Sequence, residues 1–298
     1  MKSFLNASIY RFIYGIFYVL GLIPFKIRNL ICYFIGTLWF YVDRRHRKVA
    51  LKNMSRVYGD KKTDKEVLNL ARSVFIELPK IIFEAGWSLR LKKDSLPNFF
   101  KVEGVENIDE AFKRGKGVLI LTAHIGSWEL LTLVPGMLPY KFHDIYRPLD
   151  FEPLRDFFDF FRSRFGMGLI GKRRAMREIL KTLSDGEGIG VPLDQAGSRP
   201  EGVFVDFFGE PTSTNKSIAR VAMKTGASVV PVFLVREKDK FRVFIDKIVE
   251  TVDTGCKNDD VKVNTENYNK IIEKYIKKYP SQWFWVHDRW KHKLLENG

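Results

Sequence analysis

The sequence predicts an α/β fold with a mostly parallel central sheet and helices on both faces, plus an N-terminal apolar helical segment that associates with a membrane. Three observations predict it. Short apolar runs at 118–121, 188–193 and 228–235 have the length and unbroken hydrophobicity of strands buried on both faces, the mark of a parallel sheet. Segments with apolar residues spaced at three and four alternate with them, as in successive strand and helix units. Two longer apolar stretches, 12–25 and 30–42, stand apart from that alternation at the start of the chain.

In the N-terminal segment Pro24 interrupts the first apolar stretch, and Lys26, Arg28 and Asn29 separate it from the second. A spanning helix needs about 20 apolar residues in a row, which neither half clearly supplies. Two short helices lying in one leaflet, or a single tilted helix, fit better than a cleaved signal peptide, because no small-residue cleavage site ends the first run. A pair of buried core helices is the alternative. Arg44-Arg45-His46-Arg47-Lys48 follows and reads as a juxtamembrane anchor on the cytoplasmic side. Residues 1–45 are therefore assigned to membrane anchoring and 46–298 to the α/β domain.

The domain opens with an amphipathic helix over 64–90, in which Pro79 should introduce a kink or a division. A short strand around Val102 and a helix over 105–113 lead through Gly115-Lys116-Gly117 into the central strand. A helix over 128–138 and a strand over 142–146 come next. Helices over 151–165 and 173–183 are expected to be joined by a glycine-marked turn at 166–171. A strand over 188–193 ends at Asp194-Gln195, and a turn-rich loop, 197–202, leads to 203–208. A helix over 217–224 closes at Gly226, strands occupy 228–235 and 241–248, and a helix spans 264–279 before a tryptophan-rich end.

Composition narrows the partners. Lys and Arg total 50 against 35 Asp and Glu, a formal charge of +15, which favours nucleic acid, an anionic membrane or an acidic carrier protein. No nucleic-acid fold signature accompanies the basic clusters Lys172-Arg173-Arg174 and 289–293, so these read as solvated faces or contacts to lipid headgroups and a carrier. Cys32 and Cys256 have neither metal-ligand nor CxxC spacing and read as unpaired thiols in a reducing compartment.

The chemistry concentrates in L-I-L-T-A-H-I-G-S-W-E-L-L, residues 119–131. Strand carboxyl ends are where open α/β sheets bind ligands, and a histidine is an odd residue after an apolar strand unless its imidazole is used. Glu129 alone could be a first-turn acid of the next helix; with His124 it reads as the group that holds a general base in one tautomer. Ser127 lies in no G-x-S-x-G elbow, so it is not read as a nucleophile, and the spacing does not suit a metal.

A-H-I-G-S-W-E resembles the H-x-x-x-x-D/E motif of the glycerolipid and lysophospholipid acyltransferase superfamily. It is more specifically similar to the lipid A biosynthesis (late, Kdo-dependent) branch, which favours Glu at the last position. Tyr146-Arg147-Pro148, Pro192-Leu193-Asp194-Gln195, the block from Gly202 to Gly209, Val229 to Phe233 and the tryptophan-rich end follow in the family's order. The resemblance implies transfer of an acyl chain from an acidic acyl carrier protein thioester, or from acyl-CoA, to a hydroxyl of a lipid A precursor at the cytoplasmic face of the bacterial inner membrane. It implies no cofactor. His124 would be the base and Glu129 its orienting partner, attack would be direct, and N–H groups around Gly126 and Ser127 would face the oxyanion. Arg147 is expected to hold a phosphate or carboxylate of the acceptor, and Asp194 and Gln195 to line the site, with Asp194 given no single role. Arg199 and Asp206 are read as structural, His287 as a packing residue, and the phenylalanines at 157, 158, 160 and 161 as walls of an acyl tunnel. The rival readings are another acceptor, such as a phosphatidylinositol mannoside or lysophospholipid, a thioesterase side reaction, and a catalytically silent lipid-binding protein.

Overall fold

A computed structural model describes residues 2–171, 175–198 and 200–292, with side chains from residue 4 onward. Its centre is a seven-stranded sheet built from β1 (Phe100–Glu103), β2 (Val118–Thr122), β3 (Phe142–Tyr146), β4 (Met167–Gly171), β5 (Gly188–Pro192), β8 (Ser228–Glu237) and β9 (Lys240–Ile245). The strand order is β1-β9-β8-β2-β5-β3-β4, and every pairing is parallel except β8 with β9. β6 (Gly202–Phe207) and β7 (Glu210–Asn215) form a separate antiparallel pair.

Burial on both faces explains the unbroken apolar runs. In β2, Leu119 and Leu121 join the core on one side of the sheet, and Val118 and Ile120 join the core on the other. Helices α3 (Arg44–Tyr58), α4 (Asp64–Ser88), α7 (Ala175–Ser184), α8 (Ser217–Thr225) and α9 (Lys257–Lys278) supply the first side. The second side receives α5 (Val105–Lys113), a 3-10 helix at Trp128–Met137 and α6 (Glu152–Ser163).

The N-terminus forms α1 (Lys2–Leu22) and α2 (Phe25–Val42), with Ile23 and Pro24 between them. Residues Phe4–Leu22 are long and apolar enough to cross a membrane by length and composition, more than the interrupted sequence suggested, because the helix continues through Arg11. Both helices nevertheless lie against α4. At Gly21 and Gly36 the backbones approach so closely that a Cβ would strike the backbone of Gly86 and of Phe75-Ile76. Their outer faces are bare: Phe12 is 70% and Leu38 65% exposed.

Several expectations change. The basic run at 44–48 opens a regular helix, α3, capped by Asp43, whose carboxylate accepts from the His46 N–H. Pro79 lies inside α4 without dividing it. The 166–171 stretch is strand β4 at the sheet edge, because Met167 to Gly171 pair with Phe142 to Tyr146. The 128–138 segment is a 3-10 helix with Pro135 inside it. The last helix starts at Lys257, ahead of its predicted start.

Candidate active site

β2 runs up to Thr122, and two residues later His124 stands at the carboxyl end of the sheet. Its Nδ1 lies 2.8 Å from Asp194 Oδ1, and its backbone N–H donates to Asp194 Oδ2 at 3.1 Å. Trp283 Nε1–H donates to the same Oδ2 at 2.8 Å. Asp194 follows β5, the strand beside β2, and is 2% exposed. An ionised carboxylate only accepts, so Nδ1 carries the proton and Nε2 keeps its lone pair.

The electrostatics agree. Burial pulls the His124 pKa down, but the charge and hydrogen bond of Asp194, aided by Glu129 and Asp144, outweigh it and hold the imidazole above its ordinary value. Burial pushes Asp194 up, and His124, Trp283 and the backbone N–H together carry it below the usual carboxylate range.

The hydrogen bond to the ring that was expected of Glu129 is thus made by Asp194. Glu129 is held elsewhere: Arg162 on α6 donates Nε–H and Nη2–H to its two oxygens at 3.0 and 2.9 Å. That guanidinium also lies 5.6 Å from the Tyr146 and Phe158 ring centres. Glu129 acts on His124 through its charge and makes no hydrogen bond to it.

A cavity of about 370 Å³ opens from this pair into the molecule. His124, Trp128, Glu129, Arg147, Arg162 and Gln195 border its polar end, and Ile108, Ile120, Val134, Leu138, Phe142 and Ile245 its apolar end. Pockets of this size and lining suit an apolar ligand fixed by a few polar groups. The phenylalanines of α6 are not among its walls. Phe157 and Phe161 are wholly buried, and Phe157 packs on Phe17 of α1 with ring centres 4.4 Å apart, so Phe157 ties the N-terminal helix to the domain.

Gly126 and Ser127 are also absent from the cavity wall. Gly126 has φ 63°, its N–H already donates to Gln282 O at 2.9 Å, and a Cβ there would strike the Leu234 carbonyl, so it is a turn residue. Ser127 is fully buried and accepts on its carbonyl from Leu130. Arg147 borders the mouth with its side chain 80% exposed and only a 3.9 Å pairing to Asp150. Gln195 reaches the cavity, and the next residue is tied down where the Ala196 N–H donates to His287 Nε2 at 3.1 Å. Asp206 caps a turn, accepting from the Gly209 N–H. Arg199, Lys172 to Arg174 and Lys293 lie outside the described residues. Arg289, expected on a solvated face, is wholly buried and donates to Ser213 O at 2.8 Å, with burial pulling its pKa down to about 9.

Sequence reading missed Arg162, Trp283 as a ligand of Asp194, and Asp144. The last left a signal: it is an acid within the otherwise strand-like F-H-D-I-Y. Trp283 left none, because its role depends on an antiparallel bridge between Ile125 and Trp283 that joins distant parts of the chain.

A carboxylate-held imidazole at the end of a parallel strand, beside a cavity with an apolar end, is the site of an α/β enzyme with a basic group next to an apolar-ligand pocket. Comparison with known proteins gives its class, an acyltransferase. The family profile described as bacterial lipid A biosynthesis acyltransferase matches residues 2–292, and the chain belongs to that family. It is 26% identical over 280 residues to the lipid A biosynthesis palmitoleoyltransferase of Escherichia coli, covering 93% of this chain and 89% of that one. It is 23% identical over 283 residues to the lipid A biosynthesis lauroyltransferase of the same organism, with the same coverage. A phosphatidylinositol mannoside acyltransferase of Mycobacterium tuberculosis is 25% identical over 199 residues, covering 66% of this chain and 61% of that one.

Proposed function

We propose that this acyltransferase moves a fatty acyl chain from a thioester, carried by acyl carrier protein or coenzyme A, to a hydroxyl of a lipid A precursor. The observation that carries the reading is His124, oriented by Asp194 and open through Nε2 to an apolar cavity. Nε2 takes the acceptor hydroxyl's proton as the oxygen attacks the thioester carbonyl. The tetrahedral intermediate then expels the thiolate, which recovers the proton from the imidazolium. A hydroxyl of high pKa needs such a base, typically worth ~10²- to 10⁴-fold. With the Gly126 N–H engaged, the Gln195 amide and the Trp128 indole N–H at the cavity mouth are the donors for the oxyanion. No serine or cysteine lines the cavity among the described residues, which favours direct attack over an acyl-enzyme.

The bare apolar faces of α1 and α2, with the net charge of +15, favour an anionic membrane surface, which we read as the cytoplasmic side of the inner membrane. Arg147 at the mouth is suited to an acceptor phosphate. The mycobacterial relative supports a second reading, in which the acceptor is a different glycolipid.

The test is transfer by the purified protein from acyl carrier protein and coenzyme A thioesters to a lipid A precursor and to phosphatidylinositol mannosides. His124→Ala should abolish product with every donor. Wild-type-like transfer by a folded His124→Ala protein would overturn the mechanism, and absence of turnover across the panel would favour a lipid-binding protein.

A further inference from the structure

Away from the catalytic cavity, a smaller hollow of about 150 Å³ lies where the end of α2 and the start of α3 meet the N-terminal half of α4. Phe40, Tyr41, Arg47, Leu68, Asn69 and Arg72 line it, and none of them lines the catalytic cavity. Two guanidiniums thus border the hollow and, among the described residues, no carboxylate does. Each guanidinium is held in place by part of its donor set. Arg47 Nη1–H donates to the Phe40 and Tyr41 carbonyls at 3.1 and 3.3 Å, closing the end of α2, and its guanidinium lies 5.4 Å from the Phe40 ring centre. Arg72 Nη2–H donates to the Tyr33 hydroxyl at 2.9 Å and to the Thr37 hydroxyl at 3.3 Å, with its guanidinium 5.4 Å from the Tyr33 ring centre. Nε and Nη2 of Arg47 and Nε and Nη1 of Arg72 then have no partner among the described residues, and Arg72 Nε is buried. Asp43, one turn before Arg47, does not serve them, because its carboxylate is taken by the Trp39 indole N–H and by His46. Buried donors without acceptors are costly, and two forked cations at one hollow suit an oxyanion that accepts several bonds at once, above all a phosphate.

The surroundings say which phosphate. Leu30, Phe34, Leu38 and Tyr41 form an exposed apolar row on α2 that runs up to the hollow, and exposed Leu68 of α4 continues it. At the helical rise the row is about 16 Å long, close to half of the roughly 30 Å hydrocarbon thickness of a bilayer. A free anion has no use for such a row, whereas a lipid has a chain to lay along it. We propose that the hollow binds the phosphate headgroup of an anionic membrane phospholipid, separate from the acyl donor and acceptor, with a chain along the α2 row, and so fixes how the enzyme sits on the bilayer. The proposal rests on the membrane-surface reading and is independent of acyl transfer.

The experiment is native mass spectrometry of the full-length protein in a neutral detergent, with phosphatidylglycerol, phosphatidylcholine or inorganic phosphate added. A neutral micelle lacks the surface potential of an anionic bilayer, so diffuse attraction of the basic run is removed. The wild type should retain one phosphatidylglycerol, and should hold phosphatidylcholine more weakly, because its choline cation would meet two guanidiniums. Arg47→Gln/Arg72→Gln should weaken retention by about tenfold or more. Leu68→Glu, an exposed position that leaves the Arg47 contacts to α2 intact, should do the same by placing a carboxylate in the hollow. Arg44→Gln/Arg45→Gln, which removes the same charge from exposed neighbours, should keep the lipid. Unchanged retention in folded Leu68→Glu, equal loss in Arg44→Gln/Arg45→Gln, or equal retention of the two lipids by the wild type overturns the proposal. Occupancy by inorganic phosphate with no lipid retained also overturns it, making the hollow a free-anion site. Flotation of the wild type with phosphatidylglycerol vesicles separates the two readings: no flotation refutes the membrane surface itself, while flotation with lipid retention untouched by Leu68→Glu refutes this site alone.

Discussion

Replacing Asp194 by Asn separates the two carboxylates as partners of the base, and the structure says how. Two N–H donors, the His124 backbone and the Trp283 indole, converge on Oδ2 at 3.1 and 2.8 Å. An asparagine must therefore turn its oxygen to that position and its NH₂ to the position of Oδ1, 2.8 Å from His124 Nδ1 in the wild type. Nδ1 then has to accept, the proton moves to Nε2, and the base is blocked in the wrong tautomer. The packing is unchanged, so the fold should survive, while the transfer rate falls by ~10²- to 10⁴-fold. With the carboxylate charge gone, burial prevails and the His124 pKa drops, so the acid limb of the residual rate moves to lower pH. Steady-state transfer from an acyl thioester between pH 5 and 9, with circular dichroism to check folding, measures both effects. The reasoning is refuted if Asp194→Asn keeps activity within a few fold while Glu129→Gln loses the base's pH limb, because Glu129 would then be the orienting partner.

Other outcomes follow from the same geometry. In the wild type the rate should fall as the pH drops through a value above the ordinary 6.5, because His124 must be neutral to act and its pKa is raised; a limb below 6.5 in the pH profile would contradict this. Asp144→Asn should raise the melting temperature at pH 8 and not at pH 4. A carboxyl whose pKa rises from 3.8 to about 6 on folding stabilises the fold below the unfolded value and loses that contribution as pH climbs through the folded one, at a cost of about 3 kcal/mol at neutral pH. Glu84→Ala should destabilise by about 3–5 kcal/mol in denaturant titrations, since Glu84 is fully buried and takes both Nε–H and Nη2–H of the buried Arg236. Gly36→Leu should push α2 off α4 and cost about 1–3 kcal/mol, read as a lower melting temperature and faster proteolysis of the N-terminal segment.

The elements that the sequence announced are those whose signal is local. β2, β5 and β8 are short apolar runs because each is buried on both faces by its own composition, and α4 and α8 carry their periodicity and caps within their own spans. β4 was hidden because a glycine-bearing stretch reads as a turn until β3 is beside it to accept its ladder.

For the site, His124 was legible because a polar residue ended an apolar strand, and Asp194 because it ended another. Which acid serves which base was not. Glu129 is near His124 in sequence, yet Asp194, 70 residues on, holds the ring, since β5 pairs with β2 and delivers it there, while α6 brings Arg162 to claim Glu129. By itself the sequence determined an α/β fold, a histidine at a strand end and a greasy N-terminus, all properties of contiguous residues, and through blocks in a shared order its likeness to the acyltransferases. Only the tertiary structure decided the partner of that histidine, the walls of the cavity and the Asp144 carboxyl among them, because those depend on which strands lie side by side.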